Sequence, residues 1–92
     1  MIKKFKSKGL KKLFEIGDVT GIQPQHTQRL RRILALLETA DKIEDMDLSG
    51  LDLHAVKGNR KGTHAVKVNG NWRVTFKIID GDVVDVNYED YH

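Results

Sequence analysis

The sequence predicts an α+β domain in which two N-terminal helices pack on a mostly antiparallel sheet of three to four strands. Apolar residues recur at helical spacing before residue 40 and alternate with a period of two after residue 53. Asn-Gly and Asp-Gly dipeptides at 69–70 and 80–81 are typical of hairpin turns. Because 92 residues leave room for one core, we expect a single domain over residues 1–92.

The first helix is predicted just after the basic N-terminal segment. Ser7 can cap it, since a serine side chain accepts a hydrogen bond from a free N–H of the first turn. Leu10, Leu13 and Phe14 then fall at helical spacing, and Gly17 is the expected stop. The remaining face of this helix carries lysines.

A second, longer helix is predicted from Pro24 to about Ala40, with the proline in its first turn. Its apolar stripe consists of Leu30, Ile33, Leu34 and Leu37. Three arginines lie elsewhere around this helix, namely Arg29, Arg31 and Arg32. We interpret the segment 41–52 as a turn or short irregular helix that is packed down by its isolated apolar residues. These are Ile43, Met46, Leu48 and Leu51.

Four strands are predicted after this segment, at 53–57, 64–68, 72–79 and 83–91. Strict two-residue loops would pair Val66 with Arg73. They would also pair Thr75 with Val86, and both pairs put a polar residue opposite an apolar one. The pattern therefore favours three-residue loops with a left-handed glycine, or a bulge beside each turn.

Such a register divides the strands into an apolar core face, packed against the helices, and a polar outer face. The predicted core face carries Val66, Val68, Trp72, Val74, Phe76, Ile78, Val84, Val86 and Tyr88. The predicted outer face carries Lys67, Arg73, Thr75, Lys77, Asp85, Asn87 and Glu89. Trp72 is therefore interpreted as a core residue rather than as a platform for stacking bases.

Composition excludes several kinds of site. The chain has no cysteine, which rules out disulfides, a cysteine nucleophile and thiolate metal sites. The four histidines lack the spacing of a preformed metal site, so we expect no metal and no other cofactor, and we expect His26 and His64 to be ordinary surface or boundary residues. Apolar runs are far shorter than the ~20 residues that span a bilayer, and the N-terminus does not have the pattern of a signal peptide. We therefore expect a cytoplasmic protein without membrane contact.

Charge is arranged in four alternating blocks along the chain. Residues 1–37 and 53–79 are basic, with nine and six cations against two and no acidic groups, whereas residues 38–52 and 80–92 are acidic. The two basic segments can form one face that binds a polyanion. They can equally neutralise the acidic segments within the fold, and the sequence leaves both interpretations open.

Two segments carry residues suited to phosphate chemistry. The segment 56–62 places Lys57, Arg60 and Lys61 among glycines close to His54, an arrangement that can hold phosphates or form a solvated turn. The segment 87–92 brings an aspartate, a tyrosine and a histidine together, and it can be catalytic or a plain terminus.

Several stretches of this sequence resemble the HigB toxins of the RelE/ParE superfamily. Residues 1–6, 8–10 and 13–15 read MIKKFK, KGL and LFE, and residues 53–60 read LHAVKGNR. Residues 71–76 read NWRVTF, and residues 87–92 read NYEDYH. The similarity spans the whole chain, and the last two blocks, in this order near the end, carry most of its specificity.

The resemblance implies the small toxin fold of helices on an antiparallel sheet, which agrees with the pattern above. It implies a bacterial toxin that cleaves messenger RNA in the A site of the translating 70S ribosome and is neutralised by a HigA-type antitoxin with a helix-turn-helix. We expect a monomer when the toxin is alone, and two toxins in a complex with a dimeric antitoxin. Because ParE-type members of the superfamily act on gyrase, the alternatives are a noncatalytic module that binds gyrase or RNA and an inert half of a protein complex.

Matched position by position, the family's active-site residues fall on His54, Lys57, Asn71, Arg73, Asp90, Tyr91 and His92. Cleaving RNA without a metal uses the substrate's 2′-hydroxyl as nucleophile, so the enzyme must remove its proton, stabilise the phosphate and protonate the leaving 5′-oxygen. His54 and His92 are candidates for the acid and the base, because histidine titrates near neutral pH. Asp90 can orient His92 and favour its charged form.

The other matched residues have side chains suited to binding. Arg73 presents a planar, permanent charge to a phosphate, and Lys57 adds a second positive charge. Tyr91 can stack on a base or donate a proton, and Asn71 can hold the RNA backbone or a base edge. We expect the lysines of the first helix and the arginines of the second to bind ribosomal RNA. The remaining candidates for RNA binding are Arg60 and Lys61.

Overall fold

The computed structural model describes residues 1–91, and it confirms the predicted α+β class. Its helices are α1 (Lys8–Ile16) and α2 (Thr27–Thr39), with short 3₁₀ turns at Pro24–His26 and Ile43–Met46. Its strands are β1 (His54–Ala55), β2 (His64–Asn69), β3 (Trp72–Ile79) and β4 (Asp82–Asp90). The sheet order is β1-β2-β3-β4, and each neighbouring pair is antiparallel.

Helix α1 begins and ends where the sequence predicts. The Ser7 hydroxyl accepts a hydrogen bond from the N–H of Leu10 at 3.1 Å. Gly17 adopts the left-handed conformation (φ 72°), and its N–H donates to the carbonyl of Leu13. Leu10 and Leu13 are buried, whereas Phe14 lies at the edge of the core with its ring centroid 5.8 Å from that of Phe5.

Helix α2 begins slightly later than predicted, because the turn that contains Pro24 is 3₁₀ rather than α-helical. Its predicted apolar stripe is confirmed as buried: Leu30, Ile33, Leu34 and Leu37. The prediction that His26 is a surface or boundary residue is wrong, since only 3% of it is exposed. In the following segment Met46 and Leu51 are buried as predicted, but Leu48 is exposed and does not hold that segment down.

Bulges set the register of the sheet, as one of the two predicted alternatives requires. In β2 the extra residue is Val68, since Lys67 pairs with Arg73 and Asn69 with Trp72. In β4 the pairing shifts by one residue near Asp85, which has a left-handed φ of 55°.

The β4 bulge changes which valine enters the core. Val83 lies opposite Ile78 and is completely buried. Val84 lies opposite Lys77 and is only partly buried. The prediction of Val84 on the core face is therefore wrong, because the bulge turns it to the outer face and Val83 takes its place.

The segment before α1 closes the free edge of β4. Ile2 and Phe5 form parallel bridges with Val83 and Val86. The N–H of Ile2 also donates to the Glu38 carboxylate at 2.7 Å, which ties this segment to α2. The first basic block of the sequence therefore lies beside the last acidic block.

Residues of both helices and of β2, β3 and β4 form one hydrophobic core on the inner side of the sheet. Trp72, Ile78 and Tyr88 are partly buried and pack against it, which agrees with the predicted core face. Within residues 1–91, no helix has the length and apolar character needed to cross a bilayer.

Candidate active site

The candidate site lies on the outer face of the sheet, on the side away from the helices. Arg73 and Thr75 point to this face because they alternate along β3 with the buried Val74 and Phe76. In the β3–β4 register, Arg73 lies directly opposite Glu89. The site is therefore built on paired strands, which hold their side chains at fixed spacing.

The loop between β1 and β2, residues 56–63, folds over part of this face. Two nitrogens of the Arg60 guanidinium donate to the two carboxylate oxygens of Glu89 at 2.8 and 2.5 Å. Arg60 Nη2 is also 3.4 Å from the hydroxyl of Thr75, which itself donates to Glu89. Thr75 is completely buried as a result, although the sequence places it on the polar face.

Each partner of this ion pair favours the charged form of the other. Hydrogen bonds from Arg60 lower the pKa of the Glu89 carboxyl below its ordinary value, with a smaller contribution from Thr75. The Glu89 carboxylate in turn raises the pKa of Arg60. Arg60, which the sequence suggests as a substrate-binding residue, therefore has its guanidinium occupied by a partner within the protein.

The guanidinium of Arg73 does not bond to the carboxylate opposite it. Its Nη1 donates to the backbone carbonyls of Gly70 at 2.7 Å and Trp72 at 2.9 Å. Its Cζ is 5.7 Å from the centroid of the Tyr91 ring, an arrangement of cation and aromatic face. Arg73 Nε is buried and has no hydrogen-bond partner within residues 1–91.

Three further predicted site residues lie at the same end of the sheet as Arg73. Asn71 is in the β2–β3 turn, and its carbonyl accepts the N–H of Tyr91 at 2.8 Å. Asp90 ends β4 opposite Trp72. The Tyr91 hydroxyl is buried and unpartnered in the part of the chain that the structure describes. His92 lies outside the described residues.

His54 reaches the outer face from β1, at the opposite edge of the sheet. It lies opposite Ala65, which in turn lies opposite Thr75, so the three share one row of the sheet. Its Nδ1 is 3.0 Å from the carbonyl oxygen of Asp52. A carbonyl only accepts hydrogen bonds, so Nδ1 carries the proton in this contact and the neutral ring keeps a lone pair on Nε2.

The two lysines of the 56–63 loop, Lys57 and Lys61, are both exposed. The spacing of neighbouring strands puts β1 about 10 Å from β3. An extended substrate lying across the outer face can therefore contact His54, this loop and Arg73 together.

The chain as a whole is similar to known proteins. A family model described as the RelE-like toxin of the type II toxin–antitoxin system HigB matches residues 3–92. The chain belongs to the HigB-like toxins. It is 45% identical over 92 residues to the endoribonuclease HigB of Proteus vulgaris, and the match covers the full length of both chains. The predicted family is confirmed, and a toxin of such a system has an antitoxin partner.

In this HigB-like toxin, the pattern of alternation places Glu89 and Thr75 on the outer face but gives no sign of their network. Arg60 and Glu89 are 29 residues apart, so no local pattern in the sequence pairs them. The sequence could at most indicate that Glu89 lies across from Arg73 and needs a cationic partner. Even that position depends on a register that the bulges set.

An aromatic cluster supports the site of this HigB-like toxin from the core side. The Nδ1 of His26 is 2.6 Å from the hydroxyl of Tyr88, and the Tyr88 ring stacks on Trp72 with centroids 4.4 Å apart. Trp72 directly precedes Arg73, and its carbonyl accepts the Arg73 hydrogen bond. The cluster therefore fixes the backbone that carries Arg73. Within residues 1–91, no group of three metal-ligating side chains converges on a possible metal site.

Proposed function

We propose that this HigB-like toxin is a metal-independent endoribonuclease that cleaves messenger RNA in the A site of the translating ribosome. The observation that carries the proposal is the convergence of Arg73, Asn71 and Tyr91 at one end of the outer face, with Asp90 at the same end of β4 and His54 reaching the outer face from β1. The name of the Proteus vulgaris relative, an endoribonuclease, supports the same reaction class.

The reaction needs a base for the substrate's 2′-hydroxyl. His54 suits this step, because its contact with the Asp52 carbonyl leaves the Nε2 lone pair to take the proton. The 2′-oxygen attacks the phosphorus, the bond to the 5′-oxygen breaks, and the products are a 2′,3′-cyclic phosphate and a 5′-hydroxyl. In this proposal His92 protonates the leaving oxygen, and Asp90 orients the His92 ring.

Arg73 stabilises the negative charge that builds on the phosphate in the transition state. Its planar guanidinium is held by two carbonyls and the Tyr91 ring, so it is oriented before substrate binds. Lys57, exposed in the neighbouring loop, adds a second cation, Tyr91 stacks on a base, and Asn71 contacts the RNA beside the turn.

The partner and the compartment follow from the same proposal. The antitoxin is a HigA-type helix-turn-helix protein, and a dimer of it holds two toxins, whereas the free toxin is a monomer. Exposed Lys61 and the N-terminal lysines contact ribosomal RNA. The site of action is the cytoplasm, where translating ribosomes are found.

The test compares message bound to programmed 70S ribosomes with the same sequence as a naked oligonucleotide. We expect efficient cleavage only on the ribosome, because the ribosome aligns the message for a very small enzyme. The cut ends should be a 2′,3′-cyclic phosphate and a 5′-hydroxyl, and chelation that leaves the ribosome intact should not slow the reaction. Equal rates on both substrates contradict ribosome dependence. Growth arrest without any RNA cleavage contradicts the proposed endoribonuclease activity and favours the gyrase-binding alternative.

Deleting His92 tests the acid directly. We expect a loss of about 10²–10⁴ in the cleavage rate, the typical contribution of one general acid or base, and a smaller loss for Asp90→Asn. The truncated protein must keep its thermal midpoint and bind antitoxin as the parent does. Parent-like cleavage by such a folded truncation removes His92 from the mechanism, and Tyr91 then becomes the acid to test with His54.

A further inference from the structure

Glu89 lies close to two arginines on the outer face of the sheet, Arg73 and Arg60. It is the direct cross-strand neighbour of Arg73, and residues in this relation have Cβ atoms about 4.5–5.5 Å apart. It nevertheless bonds through both carboxylate oxygens to Arg60, which belongs to the loop between β1 and β2. The nearer arginine is left to bond to backbone carbonyls instead.

This arrangement matters because a carboxylate and an RNA phosphate compete for the same guanidinium. An arginine presents its forked donors to either group in similar geometry. A carboxylate paired with Arg73 would occupy those donors and would repel an incoming phosphate. The Arg60 ion pair, supported by the Thr75 hydroxyl, holds the Glu89 carboxylate in another place.

We propose that Arg60 is a positioning residue that sequesters Glu89 and thereby keeps Arg73 available for the scissile phosphate. This inference rests on the proposed function of Arg73. It gives Arg60 a role other than direct RNA binding. Glu89 has no catalytic role in this proposal, but its carboxylate must be held away from Arg73. Without Arg60, Glu89 turns to its cross-strand neighbour and blocks it.

The test is a double-mutant cycle read by single-turnover cleavage on saturated ribosomes. We expect Arg60→Ala to lower the rate by roughly two- to fivefold, the scale of one partly exposed cross-strand ion pair that must be broken. Glu89→Gln should stay within about twofold of the parent, because a neutral amide competes poorly for Arg73. The double variant should recover to the level of Glu89→Gln.

Two different roles for Arg60 would give different patterns in this cycle. If Arg60 only anchors the loop through Glu89, then Arg60→Ala, Glu89→Gln and the double variant lose activity to a similar extent. If Arg60 binds RNA itself, Glu89→Gln does not rescue Arg60→Ala. Either pattern overturns the proposal. Lys61→Ala is the matched control, since it removes a cation from the same loop without releasing Glu89, and adding Glu89→Gln to it should restore nothing.

A second readout does not depend on cleavage. The Nε–H signal of Arg73, identified by its loss in Arg73→Lys, reflects the surroundings of a nitrogen that has no partner within residues 1–91. We expect Arg60→Ala to shift this signal and Glu89→Gln to reverse the shift. An unmoved signal in a folded Arg60→Ala variant overturns the inference. If the parent fails to cut RNA while the signal behaves as expected, the proposed function is wrong and the sequestration of Glu89 stands.

Discussion

At the scale of single residues, His26 couples stability to pH. It is 3% exposed, it faces the Tyr88 hydroxyl, and burial lowers its pKa below the ordinary value of 6.5. The folded protein therefore favours the neutral ring, whereas the unfolded chain takes up a proton near pH 6.5. Stability contributed by this site is complete above that pH and declines as the pH falls below it.

A melting series checks this dependence. Between pH 7.5 and 5.5 we expect the thermal midpoint of the parent to fall, and we expect a shallower fall for His26→Gln because that side chain does not titrate. Tyr88→Phe is the matched control: it removes the hydroxyl but leaves His26 buried, so it should lower the midpoint at every pH and keep the parent's slope. If the thermal midpoint of His26→Gln falls with pH as steeply as that of the parent, His26 is not the source of the pH dependence.

Arg73 should affect the chemical step more than binding. We expect Arg73→Ala to lower the single-turnover rate at saturating ribosomes by about 10²–10³, the usual effect of losing a group that stabilises transition-state charge, with little change in affinity. Arg73→Lys keeps the charge but loses the planar fork, so it should recover only part of the rate. A parent-like saturating rate for Arg73→Ala would exclude it from the site.

At the scale of elements, the contact between α1 and the loop after it depends on two glycines. A Cβ on Gly9 would lie 2.5 Å from the carbonyl oxygen of Gly21, and a Cβ on Gly21 would lie 2.7 Å from the Gly9 Cα. Both obstacles are backbone atoms, which cannot turn aside as a side chain would. The close approach of helix and loop therefore leaves no space for a side chain at either position.

This contact reverses the usual effect of a helical substitution. Replacing glycine by alanine inside a helix normally stabilises it by about 1 kcal/mol. We expect Gly9→Ala to lower the free energy of unfolding instead, by about 1–3 kcal/mol, the cost of overpacking. Urea unfolding measures the difference, and Lys8→Ala, on the exposed neighbouring position of the same helix, should be nearly neutral. A stabilised Gly9→Ala would mean that the loop yields easily.

The helices and strands show which structural features can be predicted from the sequence. The Ser7 cap and the Gly17 stop are local, and both are predicted correctly because they depend on a few neighbouring residues. The sequence predicts Val84 in the core, whereas Val83 takes that position. The bulge near Asp85 decides between them, and a strand can accommodate an extra residue at several positions. The pattern of alternation requires a bulge but does not locate it.

In the site, too, contacts between residues close in the sequence can be predicted, whereas contacts between distant segments cannot. Arg73 and Asn71 share the N-W-R-V-T-F block, so the hairpin brings them together by itself. The Arg60–Glu89 pair and the burial of His26 depend on contacts between distant segments. Such contacts become visible only when the register of the sheet and the packing of α2 are known.

At the scale of the whole molecule, an exposed basic segment lies apart from the hairpin that carries Arg73. The six lysines of the N-terminal segment and α1 are all exposed: Lys3, Lys4, Lys6, Lys8, Lys11 and Lys12. This segment runs beside the free edge of β4 at Val83 and Val86, whereas Arg73 and Tyr91 lie near the other end of that strand. We therefore expect these charges to contribute to affinity rather than to the chemical step.

Neutralising this surface should weaken ribosome binding without changing the chemical step. We expect glutamine at Lys3, Lys4 and Lys6 to raise the dissociation constant and to reduce its dependence on salt, because fewer counterions are released on binding. The single-turnover rate at saturation should stay within about twofold of the parent. Binding measured at several salt concentrations checks the slope, and a reduced saturating rate with unchanged affinity would contradict this division of roles.

The pairing of the N-terminal segment with β4 also sets when a newly made toxin becomes active. Ile2 and Phe5 need Val83 and Val86 as partners, and the Arg73 guanidinium lies against the Tyr91 ring. Each of these contacts joins a residue to a partner that is translated after it. A nascent chain therefore cannot complete its sheet or its site while residues 82–91 are still inside the exit tunnel. The ribosome that synthesises the toxin has translated past this strand before the toxin can fold and act.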